Sequence, residues 1–140
     1  MSDRSQVQIL VVDDDPLIRK GLGMFLAFAG YDVATAENGV SAISHLNRTL
    51  PDLLVTDLNM PLMSGVELIS HVRSQHPSVP IVAMSGEYRG DAVPASIIAD
   101  RFYPKGQDLD HLLATIASLI ATIPVRKSAQ EYRARPDLDS

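Results

Sequence analysis

A chain of 140 residues, 46% of them hydrophobic, suits one globular unit with a single core, and its formal net charge of -5 argues against general nucleic-acid binding, which relies on a basic footprint to displace counterions. Cysteine is absent, which excludes disulfide scaffolds, zinc-thiolate sites and thiol nucleophiles. No apolar run approaches the ~18 residues of a membrane span, and the opening "MSDRSQVQ" lacks the charged-then-apolar pattern of a secretion signal, so a cytoplasmic protein with no membrane partner is expected.

The first apolar run, Val7 to Val12, reads as a buried strand and ends in Asp13, Asp14 and Asp15. Crowded carboxylates resist ionisation, so the triplet needs a cation, a capping duty or ample water. Asp15 stands directly before Pro16, a helix opening in which the carboxylate accepts orphan backbone donors and proline suits the first helical position. Asp13 and Asp14 are left as solvated acids at a strand end or as ligands. The helix that follows sets Ile18, Leu22, Phe25 and Ala29 on one stripe, with Gly30 to end it.

Tyr31 to Ala36 reads as the second strand, and Leu53 to Thr56 as a third that ends at Asp57. Taken alone, Asp57 is a turn former before Asn59 and Pro61. Pro80 to Met84 is the fourth strand; Ser85 follows it, either as a turn residue before Gly86 or as a hydroxyl that donates to an oxyanion. A weaker fifth run, Arg101 to Pro104, leads into Lys105. The last helix is plainest: Leu109, Leu112, Leu113, Ile116, Leu119, Ile120 and Ile123 follow an Asp108 cap, and Pro124 stops the pattern. This divides the chain into a domain over residues 1–124 and a tail or linker over 125–140. The tail shares the basic bias of "PVRKSAQEYRAR" and is too short for an output domain.

Strand then helix, repeated, implies an α/β doubly wound (βα)5 fold with parallel sheet order 2-1-3-4-5, whose functional groups gather at the carboxyl ends of the strands. Asp13, Asp14, Asp57, Ser85 and Lys105 all fall at such ends. Hard oxygen donors in that number suit Mg2+. A metal-neutralised Asp57 is able to attack phosphorus and become an aspartyl phosphate, with Ser85 and Lys105 holding the transferred oxygens. His45, His71, His76 and His111 show no paired metal spacing, and Met60, Met63 and Met84 read as packing near the rim.

The stretches "ILVVDDDP", "LLVTDLNMPLMSGVEL", "IVAMSG" and "FYPKG" closely resemble, in order, the receiver domain of two-component response regulators, over roughly residues 7 to 123. The resemblance implies a flavodoxin-like fold in which Asp57 is the phosphoacceptor, Asp14, Asp57 and the Asn59 carbonyl ligate Mg2+, and Asp13 acts through a metal-bound water. It further implies that Ser85 turns toward the phosphoryl group, Lys105 pairs with it, and Phe102 is the aromatic switch. Asn59 and Glu87 match the pair that tunes autodephosphorylation in chemotaxis-type receivers. The implied partners are a sensor histidine kinase or phosphotransfer protein, a downstream protein target, and a second copy in a phosphorylation-dependent homodimer. The implied chemistry is self-phosphorylation and autodephosphorylation only, so no separate enzyme activity is expected.

Two departures stand out. Relatives usually place a proline in a cis peptide after the lysine, whereas here Gly106 follows Lys105; a trans or rearranged loop is expected, with Tyr103-Pro104 the alternative place for a cis bond. In "EYRGDAVPASIIAD" Pro94 breaks the helical spacing, so the fourth helix should be short, late or mobile. Three other readings compete. A flavin-binding protein of this fold needs a Ser/Thr/Gly-rich phosphate loop where the acids stand. An aspartyl-phosphate hydrolase needs an acid where Asn59 stands. An unphosphorylated pseudo-receiver would not need the complete acidic set.

Overall fold

The apolar runs form five strands in the computed structural model, which describes residues 7–60, 62–86 and 99–122: β1 (Gln8–Val12), β2 (Asp32–Ala36), β3 (Leu53–Asp57), β4 (Ile81–Ser85) and β5 (Arg101–Pro104). Helices α1 (Pro16–Phe28), α2 (Gly39–Arg48), α3 (Gly65–Gln75) and α4 (Leu109–Ile120) alternate with them among the described residues. The sheet is parallel throughout and ordered β2-β1-β3-β4-β5, as the alternation predicts. The segment after β4 with Pro94 and Glu87, the residue Pro61 and the tail 125–140 lie outside the described residues.

Because successive strand side chains alternate between faces, β1 feeds two cores. Leu10 and Val12 join Leu54, Ala42, Leu46, Leu68 and Val72 on the α2/α3 side. Ile9 and Val11 join Leu22, Leu26, Leu112 and Ile116 on the α1/α4 side. The central strands β3 and β4 are buried at every position, which is why their sequences lack polar alternation.

Every observed strand limit coincides with the expected one or differs from it by a single residue. The α1 stripe needs a larger correction: Leu22 and Leu26 are its buried residues, whereas Ala29 is exposed. The helix ends at Phe28 with Ala29 as cap, and Gly30 follows in the left-handed region at φ 108°, which glycine adopts without strain. No peptide bond is cis among the described residues, so Lys105-Gly106 is trans as expected and Tyr103-Pro104 is trans as well. The loop instead turns through Gly106 at φ 94°.

Candidate functional site

Register brings the charged residues together. Val12 lies opposite Thr56 and Thr56 opposite Ala83, so Asp13 and Asp57 leave adjacent strands at the same edge. Ser85 pairs with Pro104, the residue before Lys105, and the Lys105 N–H donates to the Ser85 carbonyl at 3.0 Å. Carboxylate oxygens of Asp13, Asp14 and Asp57 lie within 4.8 Å of one another. Asp13 and Asp57 are 0% and 3% exposed, whereas Asp14 opens to solvent.

The acidic triplet divides as its sequence suggests. Asp15 caps α1, its Oδ1 accepting from Leu17 N–H at 2.9 Å and Ile18 N–H at 3.4 Å. Asp13 Oδ1 accepts from the Asp15 N–H at 2.9 Å, and the Asp13 carbonyl accepts from Arg19 Nη1 at 2.9 Å. These bonds fix the end of β1. Asp57 Oδ1 accepts from the Asn59 N–H at 3.3 Å, and Asn59 Nδ2 donates to the buried Ser85 Oγ at 3.3 Å.

Lys105 completes the cluster, with Nζ 3.0 Å from Asp13 Oδ2 and 3.2 Å from Asp57 Oδ2. Burial raises the Asp57 pKa above the ordinary 3.8; Lys105 pulls it down and Asp13 pushes it up again, with the net shift upward. Burial works against the charge on Lys105, but attraction to Asp13 and then Asp57 outweighs it and leaves that pKa raised. Asp13 Oδ2 meets the ammonium without hydrogen-bond alignment and is otherwise unsatisfied inside the protein.

One ammonium against three clustered carboxylates leaves an excess of negative charge on oxygen donors, one of them buried with an unclaimed lone pair. This donor set fits a hard divalent cation, and the exposed Asp14 side leaves room for metal-bound water. Phe102 is not part of the cluster; it is half-buried against the α2/α3-side core. Glu87 lies outside the described residues.

Three residues of the neighbourhood escaped the sequence reading. Gly65 packs so closely under the site that a Cβ there would collide with the backbone of Asp57 and Leu58. The available signal was its place just after Ser64, which forms a capping box with Glu67. Arg19 carried no signal, because nothing local ties a helix arginine to a strand-end carbonyl. Tyr103, on β5, donates from Oη to the Gln107 carbonyl at 2.5 Å across the loop that bears Lys105.

A family model described as the response regulator receiver domain matches residues 9–117. The response regulator MprA of Mycobacterium bovis is 34% identical over 134 residues, covering 92% of this chain and 57% of that protein. MprA of Mycobacterium leprae is 36% identical over 119 residues, covering 81% of this chain and 51% of its own length. The chain thus spans about half the length of these curated relatives. Among solved structures, TrrA of Thermotoga maritima in complex with Mg2+ and BeF superposes with a TM-score of 0.76 at 32% identity, covering 81% of this chain and 99% of that one. The chemotaxis response regulator CheY4 of Vibrio cholerae gives 0.74 at 30% identity, covering 81% and 98%.

Proposed function

The chain belongs to the response regulator receiver domain family of two-component systems, and from that premise we propose that Asp57 accepts a phosphoryl group while Asp13, Asp14 and Asp57, with the Asn59 carbonyl, hold Mg2+. The observation that carries the proposal is the Lys105 ammonium bridging Asp13 and Asp57 beside three clustered carboxylates. The TrrA complex with Mg2+ and BeF, a phosphoryl-shaped group, supports it.

Mg2+ bound here supplies charge neutralisation between carboxylate and phosphoryl oxygens. The chain's own residues do the remainder. An Asp57 carboxylate oxygen attacks phosphorus, a P–O bond forms, and the bond from phosphorus to the donor breaks, with the electron pair leaving on the donor. Lys105 transfers its Asp57 contact to a phosphoryl oxygen, and Ser85 donates its hydroxyl to another. Phe102 reports the change by burying further, and Asn59 with Glu87 sets how quickly water reverses it.

In this reading the donor is a sensor histidine kinase or phosphotransfer protein in the cytoplasm, and the product binds a downstream protein, another domain or a second copy of the chain. Activity is confined to self-phosphorylation and its reversal. Beryllofluoride with Mg2+ should shift amide resonances around Asp57, Ser85 and Lys105, and the shifts should vanish without Mg2+ or in Asp57→Ala. Metal-independent shifts, or shifts retained in Asp57→Ala, would overturn the proposal.

A further inference from the structure

The loop that carries Lys105 is built on a glycine. Gly106 sits at φ 94° with nothing within 4 Å of where its Cβ would be, so neither a ring nor side-chain packing restrains the turn at that residue. An open apolar hollow of about 300 Å³, bordered by Ile18, Leu22, Met84 and Leu109, leaves the loop unsupported toward α1. Yet the Lys105 ammonium is held within 3.2 Å of two carboxylates, which requires the backbone beneath it to stay in place.

Two hydrogen bonds close the turn. Gln107 N–H donates to the Pro104 carbonyl at 3.3 Å, a four-residue turn with glycine at its third position. The Gln107 carbonyl in turn accepts from Tyr103 Oη at 2.5 Å. Tyr103 is itself immobilised: it is 3% exposed, lies in the α1/α4-side core, and stacks on His111 with ring centroids 6.2 Å apart. Its hydroxyl therefore straps the far end of the loop to the rigid sheet.

We infer that Tyr103 is a positioning residue for Lys105, its hydroxyl holding the Pro104–Gln107 turn so that the ammonium stays aimed between Asp13 and Asp57. The inference rests on the proposed phosphoryl transfer to Asp57. Tyr103→Phe keeps the buried ring and removes only the strap. Gly106→Ala has space for its methyl group but not the backbone conformation, and so disturbs the same turn from another side.

Phosphorylation of the full chain by acetyl phosphate at saturating Mg2+, followed by intact mass, tests it alongside Mg2+ titration by calorimetry. Tyr103→Phe should slow phosphorylation by about fivefold, the scale of one hydrogen bond, with Mg2+ affinity unchanged or tighter because a looser ammonium competes less with the metal. Gly106→Ala should also be slow, and the double variant no slower than the slower single. A wild-type rate in Tyr103→Phe, a parallel loss of Mg2+ affinity, or effects that multiply in the double variant would overturn the inference. Failure of the wild-type chain to label at Asp57 would instead overturn the parent reading.

Discussion

At the residue scale, three adjacent acids divide between a helix cap and the proposed Mg2+ site, and substitutions should separate them. Asp15→Ala removes the α1 cap and should cost about 1 kcal/mol by urea unfolding while leaving Mg2+ binding intact, whereas Asp14→Ala should weaken Mg2+ binding and barely change stability. Asp57 is held at a cost. Its pKa is raised in the folded protein, so its contribution to stability is complete below the ordinary value of 3.8 and is lost as pH rises through the folded value. In metal-free buffer Asp57→Asn should therefore be more stable than the wild type by about 1–3 kcal/mol at neutral pH, and the difference should vanish in strong acid. Lys105 has the same sign of dependence in a higher window: its pKa is raised from 10.5, so its stabilisation is complete at neutral pH and fades only in strong alkali. Lys105→Met, which leaves Asp13 and Asp57 without their cation, should lose about 3–5 kcal/mol without metal and regain part of it with Mg2+.

At the scale of elements, the strands were legible because β1, β3 and β4 each carry an apolar stretch bounded by polar or turn-forming residues and too short for a helix. The buried face of α4, with Leu112, Ile116 and Leu119, was legible in its leucine and isoleucine spacing, and that of α1 only in part. On α1 the expected stripe ran to Ala29, which lies exposed beyond the helix end at Phe28, and missed Leu26, which is buried one turn after Leu22. Close packing left no such mark in the sequence. The neighbours of Gly65 come from the end of β3, and the same glycine in open space would read identically. Gly65→Ala should cost about 1–3 kcal/mol and slow Asp57 phosphorylation, since the displaced atoms are backbone of Asp57 and Leu58. Gly21→Ala makes the contrasting case. It lies within α1 with nothing within 4 Å of its Cβ position, so alanine should stabilise by about 0.5–1 kcal/mol in thermal unfolding.

For the whole molecule, the sheet order does the gathering: residues as distant as Asp13 and Lys105 become ion-paired neighbours because β1, β3, β4 and β5 are parallel and in register at one edge. That convergence could be anticipated from strand ends alone. The direct contact of Lys105 with both carboxylates, and the strap from Tyr103 that supports it, depend on distances no spacing rule supplies. The proposed phosphoryl transfer turns on Asp57 as the acceptor. The most direct measurement is borohydride trapping after exposure to acetyl phosphate and Mg2+, followed by peptide mass spectrometry. Reduction confined to Asp57 and dependent on Mg2+ is the predicted result; label on another residue, or the same label without the metal, would contradict it.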